Sequence, residues 1–241
     1  MLRFLTAIIF SISFTSSVLA APAKYKTNAP PSADLHYSIH AVQKGIAIKG
    51  NGLVQWRNTK GSYLATAEIR AMLLGKILEE KSEGKFDAYG LAPLSFSEKR
   101  MRKSPVTVTF NRDVKRIQFS ATDQPQPING GEQDRHSITW QLASVARGMS
   151  AKFKSGSQWT FLVAGRKDVQ AWTFKVAQQE KTKTPMGEIN TMRIVRLAQD
   201  PKDQKIEIWL APSLGWYPVK MRIAESDGDY VEQTLESITK K

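Results

Sequence analysis

The sequence predicts a mainly β protein: a curved antiparallel sheet, or half-closed β-barrel, with one helix packed on its concave side. Three observations carry that expectation. Apolar and polar residues alternate with a period of two in run after run. Short turn signals separate those runs, where a βαβ architecture would need helices between most strands. A single segment near the middle of the chain changes to a helical period.

Residues 1–20, MLRFLTAIIFSISFTSSVLA, come first. Arg3 supplies a positive start, Phe4 to Phe14 an apolar run, and Val18-Leu19-Ala20 a cleavage site after Ala20. The rival is an uncleaved anchor. The stretch is shorter than the roughly 20 predominantly apolar residues of a span and is interrupted by Ser and Thr. A signal peptide over 1–20 and a periplasmic or secreted mature chain are therefore expected. No later segment is apolar enough to span a bilayer. Residues 21–33, APAKYKTNAPPSA, read as a flexible leader, and 34–241 as a single β-rich domain.

Within that domain Tyr37 and Ile39, Ile46 and Ile48, and Val54 and Trp56 begin the alternation. Val106-Val108-Phe110, Trp159-Phe161-Val163 and Trp172-Phe174-Val176 continue it. Ile206-Ile208, Tyr217-Val219-Met221-Ile223 and Val231 with Leu235 complete it. Lys44-Gly45, Lys60-Gly61, Tyr89-Gly90 and Ser226-Asp227-Gly228-Asp229 suit hairpin turns. Residues 122–131, TDQPQPINGG, read as a loop. Beyond it Asp134 can cap a helix whose Ile138, Leu142, Val145 and Met149 share one face.

Thirty-five Lys and Arg stand against 22 Asp and Glu, a formal charge of +13. That excess favours acidic partners: anionic lipid, lipoprotein or acidic polysaccharide. Nucleic acid is disfavoured because an exported protein rarely meets it. The absence of cysteine excludes disulfides, thiolate metal sites and Cys nucleophiles.

Chemistry-bearing residues are sparse. His36 and His40 share a strand face without an evident third ligand, so solvent-facing histidines are expected and no metal or cofactor is implied. Asp134-Arg135-His136-Ser137 contains the residue types of a triad, but neighbours at a helix start point apart, and Asp134 already serves as a cap. Glu79-Glu80 reads as charged surface. No catalytic residue is assigned. The densest cationic feature is Lys99, Arg100, Arg102 and Lys103, four cations over five residues. It reads either as an edge strand guarded by charge or as an anion-binding rim. On a strand Lys99, Met101 and Lys103 would face one way and the two arginines the other.

The chain also resembles an exported bacterial family catalogued as domain of unknown function 3108, from about Leu35 to Ile238. The resemblance rests on Gly90-Leu91-Ala92-Pro93, on Gln133-Asp134 with Ser137, on Thr184-Pro185-Met186-Gly187 with Thr191, and on Trp209 followed by Tyr217-Pro218-Val219. It implies an envelope or secreted location and a β-rich fold; it does not imply a known activity, and no catalytic residue is carried over from it. The expected function is non-enzymatic: binding an amphipathic or anionic envelope component in the concavity of the sheet. The alternative is an interaction module that binds acidic polysaccharide or a protein by its outer face.

Overall fold

The computed structural model describes residues 23–241, so the expected signal peptide lies outside the described residues. The first limb of the sheet is a meander of eight strands. They are β1 (Ala33–Gln43), β2 (Ile46–Thr59), β3 (Ser62–Ala71), β4 (Gly75–Asp87), β5 (Gly90–Arg100), β6 (Val106–Asn111), β7 (Arg116–Phe119) and β8 (Thr122–Pro127). The chain then crosses through β9 (Gln133–Asp134) and the helix α1 (Ser137–Gly148). The second limb is β10 (Gln158–Ala164), β11 (Val169–Thr184), β12 (Gly187–Leu197), β13 (Lys205–Ala211), β14 (Tyr217–Ala224) and β15 (Tyr230–Lys240).

All 15 strands form one open sheet, in the order β8 to β1, then β15 back to β9. The limbs are joined where β1 pairs antiparallel with β15, Leu35 opposite Ile238 and Val42 opposite Tyr230. Only β9 and β10 run parallel. The expected turns are in place, and Lys44 and Gly45 both take positive φ, 51° and 77°, as a tight hairpin requires.

Alternation in the sequence becomes alternation in burial. In β1 Leu35, Tyr37 and Ile39 are buried, while His36 and His40 are exposed on the other face. The sheet curls so that both limbs bury their inner faces on α1. Ile138, Leu142 and Val145 join the core of β10–β13. Trp140 joins the core of β1–β3, stacked on Trp56 at 4.4 Å with the planes 12° apart. Nine of the helix's 12 residues are buried. A third apolar cluster links Phe96, Val108, Phe110, Ile117 and Phe119 of β5–β7 to Ala164 at the end of β10, drawing the limbs together without closing the ladder.

As expected, α1 lies on the concave side of the sheet. Two expectations need correction. Residues 122–131 are not all loop: Thr122–Pro127 form the edge strand β8, where Pro125 and Pro127 are tolerated because one side needs no ladder partner. The leader does not stand off the fold. Residues 23–32 form no strand, yet Asn28 N–H donates to Ser144 O (2.9 Å), and Trp56 Nε1 and Tyr217 OH donate to the carbonyls of Pro30 (2.9 Å) and Pro31 (2.6 Å). A Pro-rich segment lacks donors but not acceptors, and buried Trp and Tyr need acceptors. Gly148 permits this seating: a Cβ there would lie 2.4 Å from Lys26 O.

Candidate anion-binding surface

Two sets of charged side chains flank the β4–β5 pair, one on each face. Strand alternation divides Glu79 from Glu80. Glu80 turns inward, its Oε2 3.0 Å from Nδ1 of His136, whose side chain is nine-tenths buried. Burial opposes charging of both groups. The hydrogen bond and mutual attraction prevail, so the Glu80 carboxyl is held below its ordinary range and the His136 imidazole above. The reading of Glu79-Glu80 as plain surface is thus corrected for Glu80.

Beside this pair Asp134 is fully buried, and burial pushes its carboxyl upward. Its Oδ1 accepts the N–H groups of His136 (2.8 Å) and Ser137 (2.7 Å), and Ser82 Oγ lies 2.5 Å from Oδ2. Asp134 therefore serves the start of α1 as expected, although the dihedral N-cap is His136. Ser137 Oγ accepts Asp134 N–H (2.9 Å) and donates to its carbonyl (3.3 Å), while the imidazole turns to Glu80. No His–Ser hydrogen bond exists to activate a nucleophile. Among the described residues no group of three His, Asp or Glu is placed to hold a metal ion.

The other set lies at the outer end of the β4–β5 hairpin and in the turn after β5. Lys99 and Arg100 close β5, opposite Glu79 and Leu78, and all of Lys99–Lys103 is exposed. β5 is not an edge strand, for β4 and β6 flank it. The ladder continues only as far as Met101 N–H to Ile77 O (2.9 Å). Lys103 N–H then donates to Arg100 O (3.1 Å), and Arg102 takes a left-handed φ of 60°. The expected alternation of the run therefore fails beyond Arg100, because its second half is a turn.

The run lines a groove of about 320 Å³ with Lys76 to Glu79 of β4. Five cations (Lys76, Lys99, Arg100, Arg102 and Lys103) face it with one carboxylate, Glu79. Two are already engaged. Lys76 Nζ sits 2.8 Å from Glu68 and also pairs with Glu79. Arg100 reaches Glu98 at 2.9 Å, and Glu98 is only 6% exposed. Lys99, Arg102 and Lys103 make no ion pair among the described residues. A second groove of about 500 Å³ shares Glu79 and Lys99 and is acidic: Glu68, Glu80 and Glu98 line it together with Leu53, Gln55, Thr66, Lys81 and Ser97. Sequence reasoning found the cations but not the apolar turn beside them, Met72-Leu73-Leu74. Its signal was three large apolar residues in a row between Arg70 and Lys76, ending on Gly75.

A solved Brucella abortus structure, described as a beta-barrel-like protein of domain of unknown function DUF1849, has the same fold. The TM-score is 0.58 at 12% identity, over 89% of this chain and 99% of that one. A Bacteroides fragilis protein with a YmcC-like fold aligns over 90% of this chain and 100% of its own at 11% identity, with a TM-score of 0.39. No curated protein matches the chain. Of the residues that carry the family resemblance, those around α1 face inward: Gln133 Nε2 donates to Leu91 O (2.6 Å), Leu91 N–H to Gln141 Oε1 (2.9 Å), and Asp134 Oδ1 accepts Ser137 N–H (2.7 Å), whereas Pro185, Met186 and Gly187 form an exposed turn. With a family model matching residues 35–236, the chain belongs to the family described as protein of unknown function (DUF3108).

Proposed function

We propose that the mature protein is a non-enzymatic component of the cell envelope, periplasmic or secreted. It holds an anionic, amphipathic envelope molecule, a lipid or a lipid-bearing protein, on the outer face of its sheet. The carrying observation is the groove in which five cations meet one carboxylate and Lys99, Arg102 and Lys103 have no ion-pair partner among the described residues. Like charges held this close repel, so an anion seated among them is favoured. The proposed site lies at the cationic run and not in the concavity where α1 packs, and it keeps Lys99, Arg100, Arg102 and Lys103. Acidic polysaccharide held by the same cations is the second reading; it would stay at the run, because the longer groove carries four carboxylates, Glu68, Glu79, Glu80 and Glu98, against Lys81 and Lys99.

Location rests on Arg3, the apolar run after it and Val18-Leu19-Ala20. N-terminal sequencing of protein recovered from the envelope should begin at Ala21; a full-length cytosolic chain would overturn this. For the ligand, lipid extraction of the purified native protein followed by mass spectrometry should return an anionic lipid. Binding to anionic vesicles should weaken as salt rises, because the Debye length is only ~10 Å at 0.1 M. Binding that ignores salt, or is equal on neutral vesicles, would remove the electrostatic basis of the reading.

A further inference from the structure

β1, β3 and β5 run toward one end of the sheet and β2, β4 and β6 run away from it. The turns β1–β2, β3–β4 and β5–β6 therefore project from a single rim. Two of these turns are tied to the neighbouring strand: Met72 N–H donates to Lys49 O of β2 (3.0 Å) and Met101 N–H to Ile77 O of β4 (2.9 Å). Hairpin tips are normally polar, since nothing covers them. This rim is not. Met72, Leu73 and Leu74 are 76%, 96% and 51% exposed, and Ile46 at the neighbouring tip is 66% exposed. Met101, in the next turn, adds a further exposed apolar side chain beside Arg102 and Lys103. Consecutive exposed apolar residues of this size oppose solubility unless something receives them.

We propose that this rim enters the interface of an anionic lipid bilayer. Met72, Leu73 and Leu74 submerge among the acyl chains, while Lys99, Arg102 and Lys103 hold headgroup phosphates. The inference rests on the reading above and specifies it: the anionic component is the surface of a membrane. Several features select a bilayer over other partners. The apolar residues stand on convex turn tips and do not line a concave groove, so a soft phase accommodates them better than a rigid protein surface. Exposed apolar side chains and exposed cations share one rim, and a membrane interface offers a partner to both, hydrocarbon to the one and headgroup charge to the other. A polysaccharide offers the charge without the hydrocarbon. Leucine and methionine side chains are large enough to gain by burial and flexible enough to adapt to disordered chains.

The protein lacks cysteine, so Leu73→Cys gives a unique attachment point for an environment-sensitive fluorophore. On phosphatidylglycerol-containing vesicles its emission should shift to the blue and be quenched by lipids carrying a quencher on the acyl chain. On phosphatidylcholine vesicles neither change should occur. A second pair of variants separates the two contributions, each checked for an unchanged melting temperature. Leu73→Ser with Leu74→Ser should weaken vesicle binding at least about tenfold and leave its salt dependence intact. Lys99→Gln, Arg102→Gln and Lys103→Gln together should weaken it by about a hundredfold and flatten that dependence. If the serine variant binds as tightly as the parent, or the fluorophore stays in water while the protein sediments with vesicles, insertion is wrong and the cation-based reading survives. If polygalacturonate binds as tightly as vesicles do and displaces them, the partner is polysaccharide and insertion is again wrong. If the parent does not bind anionic vesicles at all, both readings fall.

Discussion

The two faces of the β4–β5 pair carry the same residue types to opposite ends. Facing inward, Glu80, Glu98 and His136 are largely buried, and each has a partner of opposite charge or an ordered hydrogen bond. Facing outward and at the tip, Lys99, Arg102 and Lys103 are exposed, with no ion-pair partner among the described residues. A charge taken out of water must be paired or it destabilises the fold, whereas a charge left in water adds little to stability and remains available. Partnership thus distinguishes charges that serve the fold from charges left available in water. Substitutions on the two faces should differ in what they change.

The largest effect belongs to the inward side at its most apolar. Leu142 is fully buried in the cluster that joins α1 to β10–β13. Leu142→Asp would place an unpaired carboxylate there and should cost more than about 4 kcal/mol, read as loss of the cooperative thermal transition. A change under ~0.5 kcal/mol would mean that α1 is not the centre of the core.

Next comes the Glu80–His136 pair. Glu80→Leu strands a buried histidine and should cost about 3 kcal/mol in chemical denaturation. The pH dependence has a definite sign. The Glu80 carboxyl is lowered from 4.5, so its contribution is complete above 4.5 and is lost as pH falls through the folded value. The His136 imidazole is raised from 6.5, so its contribution is complete below 6.5 and is lost as pH rises through the folded value. Between about pH 4.5 and 6.5 the pair contributes in full. Above that window the melting temperature should decline in the parent, and His136→Gln should flatten the decline. Comparison with the variant removes most of the contribution of Asp134, which both proteins share. Parallel pH profiles would show that the pair is not ionised as described.

How much of this was legible in sequence follows the same division. Alternation located the strands because one face of each is buried and the other wet, and a period of 3.6 located α1. Twelve consecutive residues from Ser137 also hold Trp140, Gln141 and Ser144, which are buried on the sides away from the Ile138–Leu142–Val145 stripe. An amphipathic pattern suggests a helix lying on a sheet; a helix wrapped by both limbs differs in its polar side chains finding partners, and partners are not visible in a pattern. Glu80 was missed for that reason, since its partner His136 lies 56 positions away. The leader was misread because Pro and Lys content describes a chain's own preferences, and the donors of Trp56 and Tyr217 that fix it come from elsewhere in the sequence. The cationic run was legible because a run needs no partner to be noticed. Its strand position was not, because a left-handed Arg102 ends the ladder without a glycine to announce it.

The smallest stability effects fall within the run itself, where the four cations cease to be equivalent. Arg100 belongs partly to the inner set: Glu98, its partner, is 6% exposed and would lose its cation in Arg100→Gln. About half of the Arg100 side chain is in water, which screens the pair and lets solvent replace it, so the loss should be near ~1 kcal/mol. Lys99→Gln, Arg102→Gln and Lys103→Gln together remove three exposed charges that make no ion pair among the described residues. They should change stability by less than ~0.5 kcal/mol, and relief of mutual repulsion can make the change favourable. In urea the triple variant should therefore keep the parent's midpoint while the single Arg100→Gln moves it. On anionic vesicles the order should reverse, with the triple variant losing most of the binding and Arg100→Gln less. If the triple variant is the less stable of the two, those side chains have partners within the fold. They would then be structural charges, and the outward face would no longer differ in kind from the inward one.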